Sequence, residues 1–550
     1  MSSDRLIAET VSGYGVTHVF FVPSILSRAL AEMEDLQVRR VTTHHEIAAA
    51  YMADGFARAS HRPGICMAQS VGALNLAAGL RDAWLASSPV IAITGGPHPD
   101  TRYRYVYQQI EDFSAFDPVT KFNAMVEKPS RLADLLRQAF RTATTGAPGP
   151  VHLEIPGRIG EGLSANGDFE LLIEERYTRY PAHRPEPEMG PVRQAAALLA
   201  SAERPIIVAG GGVIASEAAS EVVKLAERLS IPVATSLTGK GTIAEDHPLS
   251  AGTMGGYGRP STNQAVEEAD LVFFIGTRAG GMTTNNWRFP RPGTPVIQLD
   301  IDPAEIGRNY PAKVALVGDA KATLQRLLDV VEPGPGRSAW LQRVRALQDA
   351  WLAEVAPLLS SDAIPIRPER VCKEITDALP EDGVLVVDTG HASIWCGTMV
   401  ELKRPGQRFI RCAGTLGWAF PASIGVKCAL PHSSVVCFTG DGGFYPHMVE
   451  LETAARLGIN VVVVVNNNGA LGQTQRGFDA AYGGKQRGRA HEMWVFNKTN
   501  FVVMAEAAGC LGIRVERPDE LQSALKRALA ANRPVVVDVV TDVNVLASWG

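Results

Sequence analysis

Residues 434–470 read SVVCFTGDGGFYPHMVELETAARLGINVVVVVNNNGA and decide the fold of the chain. Two short apolar runs rich in valine flank a segment with helical spacing, whose apolar face carries Met448, Leu451, Ala455 and Leu457. Continuous β-branched runs are typical of strands buried on both faces of a parallel sheet. The stretch therefore predicts a strand–helix–strand unit in a parallel sheet.

The same alternation of short β-like runs and helical patterns recurs along all 550 residues. It predicts an α/β fold of parallel sheets with helices on both faces. The predicted strands are His18–Pro23, Gly64–Gln69, Pro89–Gly95, Pro150–Pro156, Arg204–Gly212, Asp270–Gly276, Pro295–Asp302, Gly383–Gly390, Ser434–Gly442, Asn460–Asn468 and Pro534–Val540.

Two stretches rich in proline, with charged residues or glycine, predict linkers between domains, Tyr177–Pro191 and Val330–Trp340. They divide the chain into three doubly wound parallel-sheet domains of ordinary size, residues 1–180, 190–335 and 360–550.

Composition excludes several classes of function. The net charge of -5 lacks the basic excess that a nucleic-acid partner requires. We see no signal peptide and no apolar run approaching the ~20 residues that span a bilayer. The seven cysteines include no close CxxC pair, which predicts reduced thiols and a cytoplasmic protein rather than a zinc site or a disulfide framework.

Polar residues follow both strands of the decisive stretch where each strand ends. Asp441 follows the first strand and three asparagines, Asn466–Asn468, end the second. Neighbouring strands lie ~4.8 Å apart, and ligands bind at this edge of open α/β sheets. A carboxylate with amide and carbonyl oxygens suits Mg²⁺, and the glycines beside Asp441 allow close approach of phosphate groups. A simple helix cap and turn is the alternative.

The motif GDG, followed 26 residues after Asp441 by an Asn-Asn pair, resembles the signature of thiamine-diphosphate-dependent enzymes. The whole stretch is similar to the acetolactate synthase-like branch of that family. The resemblance implies that Asp441, Asn468 and the carbonyl of Ala470 hold Mg²⁺, with Gly442 and Gly443 beside the diphosphate. Asn466 is then expected to end the strand.

An N-terminal stretch, VTTHHEIAAAYMADGFARAS (Val41–Ser60), also resembles a motif of this family. The resemblance assigns Glu46 as the catalytic carboxyl group beside the aminopyrimidine of the cofactor. Without the C-terminal motif, Glu46 would be interpreted as a first-turn charge that the helix dipole favours.

Four more positions follow from the resemblance. Gln108 matches an active-site glutamine, and His391 matches a residue near the diphosphate. The carbonyl of Gly414 is expected to accept a hydrogen bond from the aminopyrimidine, and Leu416 to support the bent cofactor from below.

The resemblance spans all three predicted domains, which become pyrimidine-binding, central Rossmann-like and diphosphate-binding. In relatives the central domain holds FAD, ADP or nothing, and Arg278 matches a residue that contacts FAD in some of them. Because Glu46 and Asp441 lie in different domains, and relatives share each site between subunits, we expect a homodimer or homotetramer with active sites at the interface.

The predicted function is C–C bond formation or cleavage on a small 2-keto acid. Residues Ser24–Leu26 either form an apolar wall of the substrate cavity or only pack in the protein core. Residues 472–494 form either a mobile segment that closes over the site or an ordinary surface loop. The polar candidates near the cavity are His44, His45, His98, Gln108 and Tyr482.

Three alternative functions stay open at this point. The first is a thiamine-dependent lyase or C–C hydrolase on a 2-hydroxy ketone or cyclic diketone. The second is a nucleotide-binding or flavin-binding oxidoreductase, against which the absence of GxGxxG after the first strand speaks. The third is a catalytically silent regulatory relative, against which the presence of both Glu46 and Asp441 speaks.

Overall fold

The computed structural model describes residues 1–163, 165–334 and 336–548. In these ranges the strands form three sheets of six, and neighbouring strands of every sheet run parallel. The α/β prediction with three doubly wound domains is confirmed. The predicted ends of the second and third domains, at 335 and 550, lie outside the described residues.

The N-terminal sheet has the strand order β2-β1-β3-β4-β6-β5. Its elements are α1 (Ser3–Gly13), β1 (His18–Phe21), α2 (Ser27–Asp35), β2 (Arg39–Thr42), α3 (Glu46–Ser60), β3 (Gly64–Ala68), α4 (Ala73–Leu85), β4 (Val90–Gly96), β5 (Phe122–Met125), α5 (Leu132–Thr144) and β6 (Val151–Pro156).

The central sheet has the order β12-β11-β10-β7-β8-β9. Helix α11 (Ser338–Leu359) packs on this domain, and the Trp340 indole N–H donates to the Pro205 carbonyl at 2.9 Å. The predicted domain bounds had placed residues 336–359 between the second and third domains. The elements are α6 (Met189–Ser201), β7 (Pro205–Ala209), α7 (Gly211–Ala215), α8 (Ala219–Leu229), β8 (Val233–Thr235), β9 (Ser250–Thr253), α9 (Pro260–Glu268), β10 (Leu271–Ile275), β11 (Val296–Asp300), β12 (Ala312–Val317), α10 (Ala320–Val330) and α11 (Ser338–Leu359).

The C-terminal sheet has the order β14-β13-β15-β16-β18-β17. Its elements are α12 (Pro368–Ala378), β13 (Val384–Val387), α13 (His391–Met399), β14 (Arg408–Arg411), α14 (Ala419–Ala429), β15 (Val435–Gly440), α15 (Asp441–Phe444), α16 (Glu450–Leu457), β16 (Val462–Asn467), α17 (Gln475–Ala481), α18 (Phe501–Ala507), β17 (Leu511–Val515), α19 (Leu521–Ala530) and β18 (Val535–Val540).

The decisive stretch forms the predicted unit, with two differences of detail. Strands β15 and β16 are parallel neighbours, and Gly440 faces Asn466. The connecting helix is broken into α15 and α16 by a 3-10 turn at Tyr445–His447, because Pro446 has no N–H to continue the ladder. Strand β16 ends at Asn467, so the expectation that Asn466 ends it is wrong by one residue.

The first and last domains share a hydrophobic core through α3 and α14. A Cβ atom on Gly55 would lie 2.1 Å from the Ala422 carbonyl oxygen, and one on Gly425 would lie 1.9 Å from the Met52 carbonyl oxygen. The backbones of α3 and α14 therefore come into contact at Gly55 and Gly425, where glycine leaves no side chain between them. This contact fixes the N-terminal domain against the C-terminal domain of the same chain.

The seven cysteines are all buried and free, in agreement with the prediction that they form no disulfides. Burial raises the pKa of the Cys66 and Cys412 thiols far above their ordinary range. Within the described ranges, no helix combines the length and the apolar character needed to cross a membrane.

Candidate active site

Asp441, Asn468 and Ala470 gather around one backbone nitrogen at the ends of β15 and β16. The amide of Ala470 donates to Oδ2 of Asp441 at 3.0 Å and to Oδ1 of Asn468 at 3.1 Å. Glycine at 469 has a φ of 70°, which lets the chain turn back toward Asp441. The three residues assigned to the metal from the sequence therefore lie together.

Asp441 is the only carboxylate of this group, and it is 2% exposed. Burial raises its pKa to about 6, although the Gly442 amide donates to it at 2.8 Å. Over the part of the chain that the structure describes, no cluster of three or more His, Cys, Asp or Glu side chains could hold a metal. An ion here would have to use amide and carbonyl oxygens as well, which suits Mg²⁺.

The three asparagines have different environments. Asn467 donates to Oδ1 of Asp538 at 2.8 Å and to the Thr499 carbonyl at 2.9 Å, so it ties β16 to its surroundings. Asn466 is buried, and its Oδ1 has no hydrogen-bond partner among the described residues. Asn468 alone of the three directs an oxygen to the Ala470 turn.

His391 begins α13 and faces the same region. A Cβ atom on Gly472 would lie 3.1 Å from Nδ2 of Asn468 and 3.7 Å from Nδ1 of His391, so the missing side chain leaves a space between them. The buried Nδ1 of His391 has no protein partner in the described chain. Burial lowers the pKa of His391 to about 4, so its imidazole is neutral at physiological pH.

Glu46 is the first residue of α3, after His45, whose ring caps the helix by accepting from the Ile47 amide. The Glu46 side chain is 13% exposed, and its Oε2 accepts from Nδ2 of Asn75 at 3.1 Å. A Cβ atom on Gly72 would lie 2.5 Å from its Oε1. A glycine at 72 therefore keeps room for the carboxylate.

Leu416 lies 44% exposed in the loop between β14 and α14. The amide of the neighbouring Gly414 donates to Asp82 of the N-terminal domain at 3.2 Å. The sequence did not single out Asp82, because in α4 it has the spacing of an ordinary core helix.

Gln108 has a positive φ of 60° and two contacts that hold it in place. Its carbonyl accepts from the Ser70 hydroxyl at 2.6 Å, and its side-chain oxygen accepts from Nη1 of Arg158 at 2.9 Å. Arg158 is a further residue that sequence reasoning missed. Its only signal was a charged residue after the buried strand β6, at the ligand-binding edge.

Several candidates for the cavity wall have other surroundings. Ile25 and Leu26 are buried in the core of the N-terminal domain, in agreement with the packing alternative. His44 contacts α16, since its Nε2 lies 2.8 Å from Oε2 of Glu452 and its amide donates to Glu450 at 2.9 Å. His98 caps a short 3-10 turn, and Tyr482 caps the end of α17.

Residues 472–494 form a loop whose two ends are joined. The amide of Leu471 donates to the Trp494 carbonyl at 2.7 Å. Within the loop, Nε2 of Gln473 donates to the Tyr257 hydroxyl of the central domain at 2.9 Å. The loop therefore connects the Asp441 region to the central domain.

A cavity of about 540 Å³ opens at the carboxyl ends of the central sheet. Residues of all three domains line it, including Leu85, Arg278 and Arg411. The Arg278 guanidinium donates to the Leu85 carbonyl at 3.1 Å and to the Ser87 hydroxyl at 2.8 Å. The volume lies within the ordinary range of ligand pockets.

Glu46 and Asp441 are held by separate sets of hydrogen bonds. Among the residues described, no hydrogen bond or ion pair joins Glu46 to Asp441. Glu46 has its contacts in the N-terminal domain and Asp441 in the C-terminal domain.

Comparisons with known proteins agree with this architecture domain by domain. The N-terminal TPP binding domain of thiamine pyrophosphate enzymes matches residues 1–116, the central domain matches 192–327, and the C-terminal TPP binding domain matches 388–539. The residues that the sequence assigned to the cofactor are divided between these two TPP binding domains: Glu46 lies in the first, and Asp441 and Asn468 lie in the second.

Similar proteins align over nearly their whole length. A probable acetolactate synthase large subunit of Methanocaldococcus jannaschii is 36% identical, over 98% of this chain and 92% of its own. An acetolactate synthase of Arthrospira platensis is 32% identical, with 97% and 93% covered. The acetolactate synthase large subunit of Haemophilus influenzae is 30% identical, with 98% and 95% covered. The chain therefore belongs to the family of thiamine pyrophosphate enzymes.

Proposed function

We propose that the chain is a Mg²⁺- and thiamine-diphosphate-dependent carboligase that acts on a 2-keto acid, as the names of its acetolactate synthase relatives suggest. The observation that carries the proposal is the grouping of Asp441, Asn468 and Ala470 around one turn. One carboxylate, one side-chain amide oxygen and one backbone carbonyl oxygen fill only part of the coordination shell of Mg²⁺. The remaining positions suit water and the oxygens of a phosphate group.

The residues present fit a diphosphate bound through Mg²⁺. The space that Gly472 leaves between Asn468 and His391 is lined by polar atoms, and Nδ1 of His391 lacks a protein partner in the described residues. Asp441, Asn468 and the Ala470 carbonyl would hold the metal. Gly442, Gly443 and His391 would lie beside the diphosphate.

When bound, thiamine diphosphate supplies a nucleophilic carbon that adds to a keto group and accepts the electron pair released with CO₂. With the cofactor bound, the Glu46 carboxyl group would exchange a proton with the aminopyrimidine. Leu416 would exclude water from one side, and the Gly414 carbonyl would orient the pyrimidine. Gln108, held by Arg158, is the polar group we assign to the substrate.

The active unit is a homodimer, or a tetramer of two such dimers, with shared sites. Glu46 has its hydrogen bonds in the N-terminal domain and Asp441 in the C-terminal domain, and in a shared site each chain would complete the site of its partner. The seven free, buried thiols support a reducing, cytoplasmic location.

The experiment is a panel of keto acids, 2-hydroxy ketones and cyclic diketones with purified protein, thiamine diphosphate and Mg²⁺, read by mass spectrometry. We expect CO₂ release together with a ligated hydroxy-keto acid. A 2-hydroxy ketone or a cyclic diketone consumed without CO₂ release would favour the lyase or C–C hydrolase alternative. A protein that binds thiamine diphosphate without turning over any compound would favour the silent regulatory relative.

The central cavity supports a second proposal, that it holds FAD or ADP. Glycines follow β7 at 211 and 212, and Arg278 lines the same space. Close backbone approach after a strand suits a nucleotide phosphate. Denaturing the purified protein and analysing the released small molecules by mass spectrometry would identify the nucleotide. Reduction of a bound flavin by substrate would instead favour the oxidoreductase alternative.

A further inference from the structure

The loop of residues 412–418 connects β14 to α14 and carries both Gly414 and Leu416. Two buried carboxylates from different domains hold it. Asp82 belongs to α4 of the N-terminal domain, and Asp388 follows β13 of the C-terminal domain. They are 0% and 1% exposed, and each binds a different side of the loop.

Asp82 holds the first part of the loop through four donors. Its oxygens accept from the amide of Ala413 at 2.8 Å, from those of Gly414 and Thr415 at 3.2 Å, and from the Thr415 hydroxyl at 2.7 Å. Three consecutive amides thus converge on one carboxylate across a domain boundary. Charge-assisted hydrogen bonds of this kind are the strong ones.

Asp82 keeps its negative charge in this buried place. Burial alone would raise its pKa, but the Arg58 guanidinium at 2.8 Å and the loop amides outweigh burial and hold the pKa below its ordinary value. Arg58 also pairs with Asp54 at 2.6 Å, and Asp54 accepts from the Trp418 indole at 2.9 Å. The ionic group therefore extends to the far end of the loop.

Asp388 holds the second part of the loop. It accepts from the amide of Gly417 at 3.1 Å and from that of Ala419 at 3.0 Å. Burial raises its pKa to about 6. In sequence, Leu416 lies between the residues that the two carboxylates bind, and its side chain is 44% exposed.

The bonds to Asp82 also determine where the Gly414 carbonyl points. In a planar trans peptide, the carbonyl of one residue and the N–H of the next point in opposite directions. Because the Thr415 N–H points at Asp82, the Gly414 carbonyl points away from it. The direction of the acceptor expected to meet the aminopyrimidine is thus set by a carboxylate on another domain.

We propose that Asp82 and Asp388 are positioning residues, which hold the Gly414 carbonyl and Leu416 in the geometry that thiamine diphosphate requires. That the loop binds thiamine diphosphate rests on the proposed function. That the two carboxylates hold the loop rests on the hydrogen bonds described above. Neither carboxylate is assigned a contact with cofactor or substrate. Each acts through the backbone of the loop.

The test compares wild type with Asp82→Asn, Thr415→Val and the control Glu374→Gln. Asparagine has the size of aspartate, but its NH₂ group would face amides that need an acceptor. Thr415→Val removes only the hydroxyl donor and leaves the pairing of Asp82 with Arg58 intact. Glu374 is also buried, in α12 of the C-terminal domain, and it pairs with Arg370 on its own helix, away from the loop.

The first measurement is hydrogen exchange of the cofactor-free protein, read by mass spectrometry. In Asp82→Asn we expect peptides covering residues 413–417 to exchange at least about tenfold faster, the loss typical of a hydrogen bond to a charged group. Thr415→Val should show a smaller increase in the same peptides, and Glu374→Gln none. Unchanged protection in both loop variants would overturn the inference.

The second measurement separates positioning from general loss of structure. With saturating thiamine diphosphate, Asp82→Asn should exchange the C2 proton of the bound cofactor more slowly and show a lower kcat, with little change in KM. Wild-type exchange per bound cofactor would overturn the positioning role. If Asp82→Asn does not fold, Thr415→Val decides by the same two readouts. If wild type binds no thiamine diphosphate, the proposed function fails while the hydrogen-exchange result still judges how the loop is held.

Discussion

The amide nitrogen of Ala470 donates to Oδ2 of Asp441 at 3.0 Å, which joins the ends of two adjacent strands directly. The donor is a backbone group, so the side chain at 470 takes no part in the bond. The bond therefore places no demand on the side chain at 470. The turn depends on Gly469 and Asp441 rather than on residue 470.

Asp441→Ala should abolish binding of Mg²⁺ and thiamine diphosphate, because it removes the one carboxylate of the group. We expect cofactor affinity to fall more than about a hundredfold, since even groups that only orient metal ligands are worth 10–100-fold. Isothermal titration measures it, with the exposed Asp519→Ala of the same domain as control. Near-normal affinity in Asp441→Ala would remove the metal assignment.

Glu46→Gln should keep most of the cofactor affinity and slow catalysis by about 10²–10⁴-fold, the usual contribution of a general acid–base group. An amide still accepts from Asn75 but cannot exchange a proton with the pyrimidine. Exchange of the C2 proton of bound thiamine diphosphate, followed by NMR, measures the step. Glu32→Gln, on α2 of the same domain, is the control, and wild-type exchange in Glu46→Gln would contradict the assignment.

Mixing two inactive variants tests whether active sites are shared between subunits. Glu46→Ala and Asp441→Ala are each shown to be inactive alone, and the two are then co-expressed, or the purified variants are refolded together. With shared sites, a mixed dimer has one site with both defects and one with neither, so activity should return to about half of the wild-type value per mixed dimer.

If each chain builds its own site, every site in the mixture keeps one defect and activity stays absent. Mass spectrometry of the intact assembly verifies that mixed dimers are present. A mixture of this kind without activity would refute the shared site, while the cofactor assignment would still stand.

Gly55→Ala should destabilise the contact between α3 and α14. The new methyl would lie 2.1 Å from the Ala422 carbonyl oxygen, so a backbone must shift. Overpacking of this kind costs about 1–3 kcal/mol. Thermal unfolding measures it against Gly190→Ala in α6, where the methyl meets nothing within 4 Å and helix propensity favours alanine. Equal stability of the two variants would show that α3 and α14 are not in close contact.

Stability should fall in acid partly because of His152. Its ring is buried between the Thr94 hydroxyl at 2.8 Å and Oδ1 of Asn123 at 2.7 Å, and burial lowers its pKa to about 3. The unfolded chain therefore binds a proton below pH ~6.5 that the folded chain refuses, and the histidine's contribution is lost as pH falls. Between about pH 7.5 and pH 5 the loss is about 2 kcal/mol.

His152→Gln removes this ionisation. Its free energy of unfolding, from denaturant titrations at the two pH values, should fall less than that of wild type by the same amount. Parallel pH dependences of the two proteins would show that the histidine is protonated in the folded state.

The fold could be predicted from the sequence where strands are central in their sheets. Eleven predicted runs coincide with strands of the described chain, such as β16 and β18. All six edge strands were missed, together with the three-residue β8. Edge strands face solvent on one side, so they carry fewer β-branched runs: β12 alternates buried and exposed residues, and β2 begins with two arginines.

The candidate site was predictable where a motif carries it, as for Asp441 and Glu46. The site was not predictable where a residue acts through a hydrogen-bond partner that is distant in sequence. Asp82 and the amides of residues 413–415 lie more than 330 positions apart. Asp82 occupies a helix whose apolar spacing is normal, and only tertiary packing brings it against the loop.

The burial of all seven thiols makes the protein suitable for site-specific labelling. A thiol must be accessible to react with a maleimide or a spin label, and these side chains are not. A cysteine introduced at the fully exposed Tyr105 would therefore be the one reactive thiol of the described chain. Distances between two such labels would report how copies of the chain associate, without removal of any native cysteine.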